Sequence, residues 1–64
     1  MIIKFPDNRE EHIQTLGETV EKILIRIGIE PMEVLITRGD EIIPEDTIPA
    51  ENETIRLIRI SHGG

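Results

Sequence analysis

Only one stretch of this 64-residue chain has apolar residues at helical spacing. Four apolar positions between residues 20 and 27 follow the i, i+3, i+4, i+7 pattern of a single helix face: Val20, Ile23, Leu24 and Ile27. Thr19 before this stretch is a suitable N-cap, and Gly28 after it suits a left-handed helix end. Because one helix covers only one face of a sheet, the pattern predicts a two-layer α+β domain.

The remaining apolar residues are mostly of the kind that favours strands. The chain has fourteen isoleucines, one Phe and neither Trp nor Tyr, so its core must be aliphatic and largely β-branched. The turn residues between the apolar runs predict five strands, of which the second is polar and edge-like and the fourth is short. These strands are Met1–Phe5, Glu10–Thr15, Glu33–Thr37, Ile42–Pro44 and Thr54–Ile60.

We expect the last strand to lie between the first and the third. A helix that crosses between two hairpins on a mixed sheet of four or five strands is the β-grasp arrangement. We assign residues 1–60 to this domain and residues 61–64 to a flexible tail. Within it, Val34, Leu35 and Ile36 should be buried centrally, and Ile48-Pro49 should anchor the loop before the last strand.

The last strand presents two different faces. Ile55 and Leu57 share one face, and we assign them to the core. That assignment leaves Arg56, Ile58 and Ile60 on the face that the helix does not cover. Because an apolar patch on a small domain often marks a partner surface, these three residues are predicted to contact a protein partner.

The sequence ends on Ser61-His62-Gly63-Gly64, directly after that strand. Neither glycine has a Cβ, so this segment can enter a narrow cleft, and four residues extend about 14 Å at most. A terminal carboxylate is a poor acyl donor until it is activated, for example by adenylation with ATP. Gly64 is therefore the candidate reactive group, Gly63 supplies clearance, and Ser61 and His62 are partner-facing spacers. The alternative is an ordinary frayed terminus.

Taken in order, several segments resemble the ThiS/MoaD family of ubiquitin-like sulfur carriers, and most of all ThiS and the small archaeal modifiers. They are residues 19–24 at the helix start, 28–31 at its exit, 33–36 as third strand, 39–46 with a turn, a short strand, a proline and an acidic pair, and 55–60 followed by the diglycine. The similarity spans nearly the whole chain. Two features depart from the family pattern: the turn at Arg38-Gly39 and the less regular second strand.

The resemblance implies a role as a protein co-substrate and not as an enzyme. A separate ubiquitin-activating-type enzyme would adenylate Gly64, and a thiocarboxylate formed there would supply sulfur for thiamine, molybdopterin or tRNA chemistry. Alternatively, the activated terminus would join lysines of target proteins, with Lys4 and Lys22 as the acceptors for self-conjugation. A third possibility, of another class, is a non-reactive β-grasp interaction module. In the first two cases ATP is used by the activating partner, and in all three we expect this chain to carry no cofactor or metal.

Charge and composition argue against several other functional classes. The net charge of −6 disfavours nucleic-acid binding, and neither a signal peptide nor a membrane-spanning run is evident, so we expect a cytoplasmic monomer. No cysteine is present for disulfides, thiolate metal sites or nucleophilic catalysis. The remaining motifs are interpreted as ordinary surface features: the Arg38-Gly39-Asp40 turn, His12 and His62, and the acidic pairs Glu10-Glu11 and Glu45-Asp46.

Overall fold

The computed structural model describes residues 1–60. This part of the chain contains one α-helix, one short 3-10 turn and a single mixed sheet of five strands. The elements are β1 (Ile2–Lys4), β2 (Glu10–His12), α1 (Val20–Arg26), the 3-10 turn (Pro31–Glu33), β3 (Val34–Arg38), β4 (Glu41–Ile42) and β5 (Thr54–Arg59). The predicted α+β class and the single helix are confirmed. Within residues 1–60, no helix combines the length and the apolar character that a bilayer crossing requires.

The start of α1 is held by a side chain and by a loop that lies far away in sequence. The hydroxyl of Thr19 accepts a hydrogen bond from the amide of Lys22 at 3.3 Å, as predicted for an N-cap. Two more amides of the first turn, which have no partner within the helix, donate to loop carbonyls at 2.9 Å: Val20 to Thr47 and Glu21 to Glu45. The loop after β4 is therefore part of the helix cap.

The end of α1 is a Schellman motif built on Gly28. This glycine has a φ of +86°, and its amide donates to the carbonyl of Ile25 at 3.1 Å. The next amide, that of Ile29, reaches back to the carbonyl of Leu24 at 2.8 Å. Pro31 then starts the 3-10 turn that leads into β3, so the chain reverses direction within a few residues.

The strand order across the sheet is β2-β1-β5-β3-β4. β5 is parallel to β1 and antiparallel to β3, while both outer pairs are antiparallel. The predicted central position of the last strand is confirmed. β2 is only three residues long and fully exposed, which is shorter than the predicted second strand.

One face of the sheet packs against α1 to form the core. Its residues are Met1, Ile3, Phe5, Val20, Ile23, Leu24, Ile36, Ile43, Ile55 and Leu57. Two predictions about burial are wrong. Leu35 is 38% exposed, because alternation along β3 turns it away from the face that holds Ile36. In the loop before β5, Pro49 is buried while Ile48 is 63% exposed, so only the proline anchors the loop.

Candidate protein-docking face

The two faces of β5 differ as the sequence predicted. Ile55 and Leu57 are 0% and 1% exposed beneath α1. Arg56 is exposed on the opposite face, and Ile58 on that face is 45% exposed. The central strand therefore contributes both to the core and to an uncovered surface, which we call the open face.

Strand register adds two apolar residues that sequence reasoning missed. Leu35 on β3 lies directly opposite Ile58, and Ile42 on β4 lies opposite Thr37, the residue that pairs with Arg56. Ile42 is 67% exposed. We call Leu35, Ile42 and Ile58 the open-face patch. Period-two alternation along β3 was the signal that could have identified Leu35, whereas Ile42 required knowledge of which strands pair.

Thr37 forms a satisfied polar element of this face. It is only 7% exposed, although the residues around it are open. Its Oγ1 donates a hydrogen bond to the carbonyl of Arg56 at 3.1 Å. This bond joins β3 to β5 in addition to the hydrogen bonds of the backbone ladder. It therefore helps to hold together the two strands that carry Leu35 and Ile58.

Ile60, the third residue that the sequence assigned to the open side, is less exposed than Ile58. β5 ends at Arg59, and Ile60 follows the strand as a half-buried residue. Its amide donates to the carbonyl of Glu33 at 2.9 Å, which fixes the backbone against the start of β3. The predicted roles of Ser61, His62, Gly63 and Gly64 lie outside the described residues. The backbone of Ile60 is thus held by a hydrogen bond directly before that segment begins.

The other motifs behave as surface features. The Arg38 side chain of the Arg-Gly-Asp turn forms an ion pair with Glu53 at 3.3 Å. His12 is exposed, and residues 1–60 contain no group of three or more potential ligands that could hold a metal ion. Glu45 is surrounded by acids, of which Glu21 contributes most to raising its pKa above the ordinary value of 4.5. Within residues 1–60, these motifs form an ion pair and a repulsive cluster of acids at the surface.

One depression of the described residues lies away from the open-face patch. It has a volume of about 570 Å³ beside the start of β1. Its lining is Met1, His12, Ile13, Gln14, Thr15, Leu16 and Glu51. One imidazole and one carboxylate without a nucleophilic partner do not define a catalytic centre. Docking on the open face is therefore what this geometry supports best.

Comparison with protein-family models and with curated proteins found no match for this chain.

Proposed function

We propose that this protein is a β-grasp, ubiquitin-like sulfur carrier similar to ThiS and to the small archaeal modifiers. Its open face docks on a separate ATP-dependent adenylating enzyme, and the Gly64 carboxylate enters the active site of that enzyme. The observation that carries the proposal is the position of the diglycine, which is separated by three residues from the central strand that also bears Arg56 and Ile58. Four residues separate Gly64 from Ile60, so the carboxylate lies within about 14 Å of Ile60, whose backbone is hydrogen-bonded to Glu33.

The chemistry proceeds in two balanced steps. A Gly64 carboxylate oxygen attacks the α-phosphorus of ATP, which forms an acyl adenylate and releases pyrophosphate. Sulfur at the oxidation level of sulfide then attacks the acyl carbon, forms a C–S bond and releases AMP. No net oxidation occurs, and the product is the thiocarboxylate. The two glycines allow this chemistry because no Cβ obstructs the approach of the backbone to the nucleotide.

The proposal is tested by incubating the protein with an adenylating enzyme of its host, ATP and a sulfide source, and measuring intact mass. We expect an AMP adduct first and then exchange of one oxygen for sulfur at Gly64. The matched controls are Gly64→Ala and a variant with one residue added after Gly64, both of which should keep the circular dichroism spectrum and lose the reaction. If the unaltered protein forms neither an AMP adduct nor a thiocarboxylate, the proposal is contradicted and a non-reactive interaction module is favoured.

The same adenylate supports a second function, the modification of other proteins. A lysine amine that attacks the acyl carbon in place of sulfur forms an isopeptide bond and also releases AMP. Lys4 and Lys22 are the only lysines of the chain and therefore the only side chains for self-conjugation. Trypsin cleaves after Arg59, so Ile-Ser-His-Gly-Gly remnants on lysines of digested host proteins, lost in cells that carry Gly64→Ala, would assign this function. Their absence beside a detected thiocarboxylate would leave the carrier function alone.

A further inference from the structure

We infer that Lys4 and Arg56 form a cationic subsite on the open face, which receives a carboxylate side chain of the docking partner. The inference rests on the proposed function and adds the chemistry of the partner surface. It predicts that the partner presents an Asp or Glu beside the apolar residues that cover the open-face patch.

The sheet places these two cations side by side. β1 and β5 are parallel neighbours, and their register pairs Lys4 with Arg56. Like charges that lie close together repel each other. Glu10 is in register with Lys4 on the other side of β1, whereas the residue in register with Arg56 on β3 is Thr37, so the sheet places an acid next to only one of the two cations.

The ion pairs of the domain do not neutralise this site. Three of the seven basic residues form ion pairs with acids of residues 1–60, namely Arg9, Arg26 and Arg38. Lys4 and Arg56 form none with the described residues, although the chain has thirteen acids. Glu10 on β2 is in register with Lys4, and Asp40 lines the same depression as the two cations. Neither reaches ion-pair distance, so both cations remain available for an external carboxylate.

The surface between the cations is concave. A shallow depression of about 450 Å³ is lined by Lys4, Gly39, Asp40, Thr54 and Arg56. One water molecule occupies about 30 Å³ in the liquid, so there is room for a carboxylate and its remaining hydration. Arg56 can hold a carboxylate with two parallel hydrogen bonds, and Lys4 contributes a point charge.

The surroundings favour a protein carboxylate over a nucleic-acid phosphate. A chain with a net charge of −6 repels polyphosphate, and two cations are too few for a phosphate-tracking surface. Arg56 also lies beside Ile58 on the same strand, and an apolar centre with charged residues at its rim is typical of a protein interface. The subsite therefore sets the orientation of a protein partner on the open face.

The first experiment measures ATP–pyrophosphate exchange by the host adenylating enzyme with this protein as the substrate. We expect K4Q/R56Q to raise KM about tenfold with little change in kcat, and to flatten the increase of KM with salt concentration. The matched control is K22Q/R59Q, which removes the same charge from two cations that also form no ion pair with residues 1–60. The control should stay within about twofold of the unaltered protein.

Equal KM values for the two variants would overturn the inference and leave the proposed function intact. Arg59 is nearer to the C-terminal segment than Arg56, so an effect that came only from proximity to Gly64 would appear in the control. If the unaltered protein supports no exchange, the proposed function fails. Whether the cationic subsite binds a carboxylate is then tested by the second experiment, which does not involve the enzyme.

The second experiment follows backbone amides by NMR during titration with a capped Glu-Leu-Glu peptide. We expect saturating shifts at Lys4, Thr54 and Arg56, which a capped Gln-Leu-Gln peptide does not produce. Equal shifts from both peptides, or shifts confined to Lys22 and Arg59, would overturn the inference. A single-stranded oligonucleotide that shifts these amides when the acidic peptide does not would assign the cations to nucleic acid and would also overturn it.

Discussion

Leu16 has a backbone conformation that few residues other than glycine adopt. Its φ is +52° and that of Gly17 is +68°, while the amide of Glu18 donates to the carbonyl of Thr15 at 2.9 Å. Positive φ at both central residues is the pattern of a type I′ turn, which normally carries Asn-Gly. A left-handed conformation costs a residue with a Cβ about 1–2 kcal/mol. The Leu16 side chain is 62% exposed and therefore recovers little of this cost by packing.

We therefore predict that Leu16→Asn stabilises the protein by about 0.5–1 kcal/mol, because Asn tolerates the left-handed region. The measurement is the midpoint of urea unfolding followed by circular dichroism. Leu16→Ala is the matched control, since it removes the exposed apolar group but keeps a Cβ at the same φ. An Asn variant no more stable than the Ala variant would contradict this account of the turn.

At the scale of elements, the start of α1 brings acids together. The same loop carbonyls that cap the helix place Glu45 close to Glu21, and Asp46 and Glu30 add to the negative potential. Glu21 is the main cause of the raised pKa of Glu45. A carboxyl whose pKa is raised by folding destabilises the folded state when it is ionised. Stability at this site therefore increases as pH falls through that pKa.

We predict that Glu45→Gln raises the urea midpoint at neutral pH, because it removes the repulsion from Glu21 and leaves the backbone cap in place. The gain should shrink as pH falls and should vanish below 4.5, the ordinary pKa of the group, where Glu45 is protonated in both states. The measurement is a series of urea unfolding curves across this range. Glu10→Gln on the edge strand is the matched control and should give no comparable gain. A gain that persists unchanged in acid would show that the cause is not charge.

Substitutions on the buried and on the exposed face of β5 should have clearly different effects on stability. Ile55 is fully buried, so Ile55→Ala should cost about 2–5 kcal/mol, which is comparable to the whole stability of a domain of this size. Ile58→Ala should change stability by less than about 1 kcal/mol.

Ile58→Glu should likewise keep the fold but weaken activation by the adenylating enzyme. Circular dichroism melting and pyrophosphate exchange measure the two effects, and a large loss of melting temperature for Ile58→Glu would contradict the open face.

At the scale of the whole molecule, the elements that sequence reasoning placed correctly are those with strong local patterns. The helix follows from apolar spacing with Thr19 and Gly28 at its ends, and the structure uses both residues as caps. The central position of β5, expected from the arrangement of two hairpins around one helix, is also confirmed. Leu35 was misplaced because three consecutive apolar residues can indicate burial on both faces or on one. The resemblance to β-grasp sulfur carriers remains a proposal.

Only part of the docking site could be predicted from the sequence. Arg56 and Ile58 could be found by alternation along one strand, because successive side chains of a strand point to opposite faces of the sheet. Leu35 and Ile42 join Ile58 through pairing between strands, and Lys4 joins Arg56 in the same way. No local pattern contains that information, because register depends on the whole sheet.

The sequence by itself therefore determined the single helix, the aliphatic core, the two faces of the last strand and the diglycine that follows it. These features depend on neighbouring residues and on the periodicity of the backbone. Only the tertiary structure decided that Ile60 lies half-buried after the strand, that Glu45 lies close to Glu21, and that Lys4 lies beside Arg56. Such placements join residues from distant parts of the chain, and they are set by strand register and by packing of the whole domain.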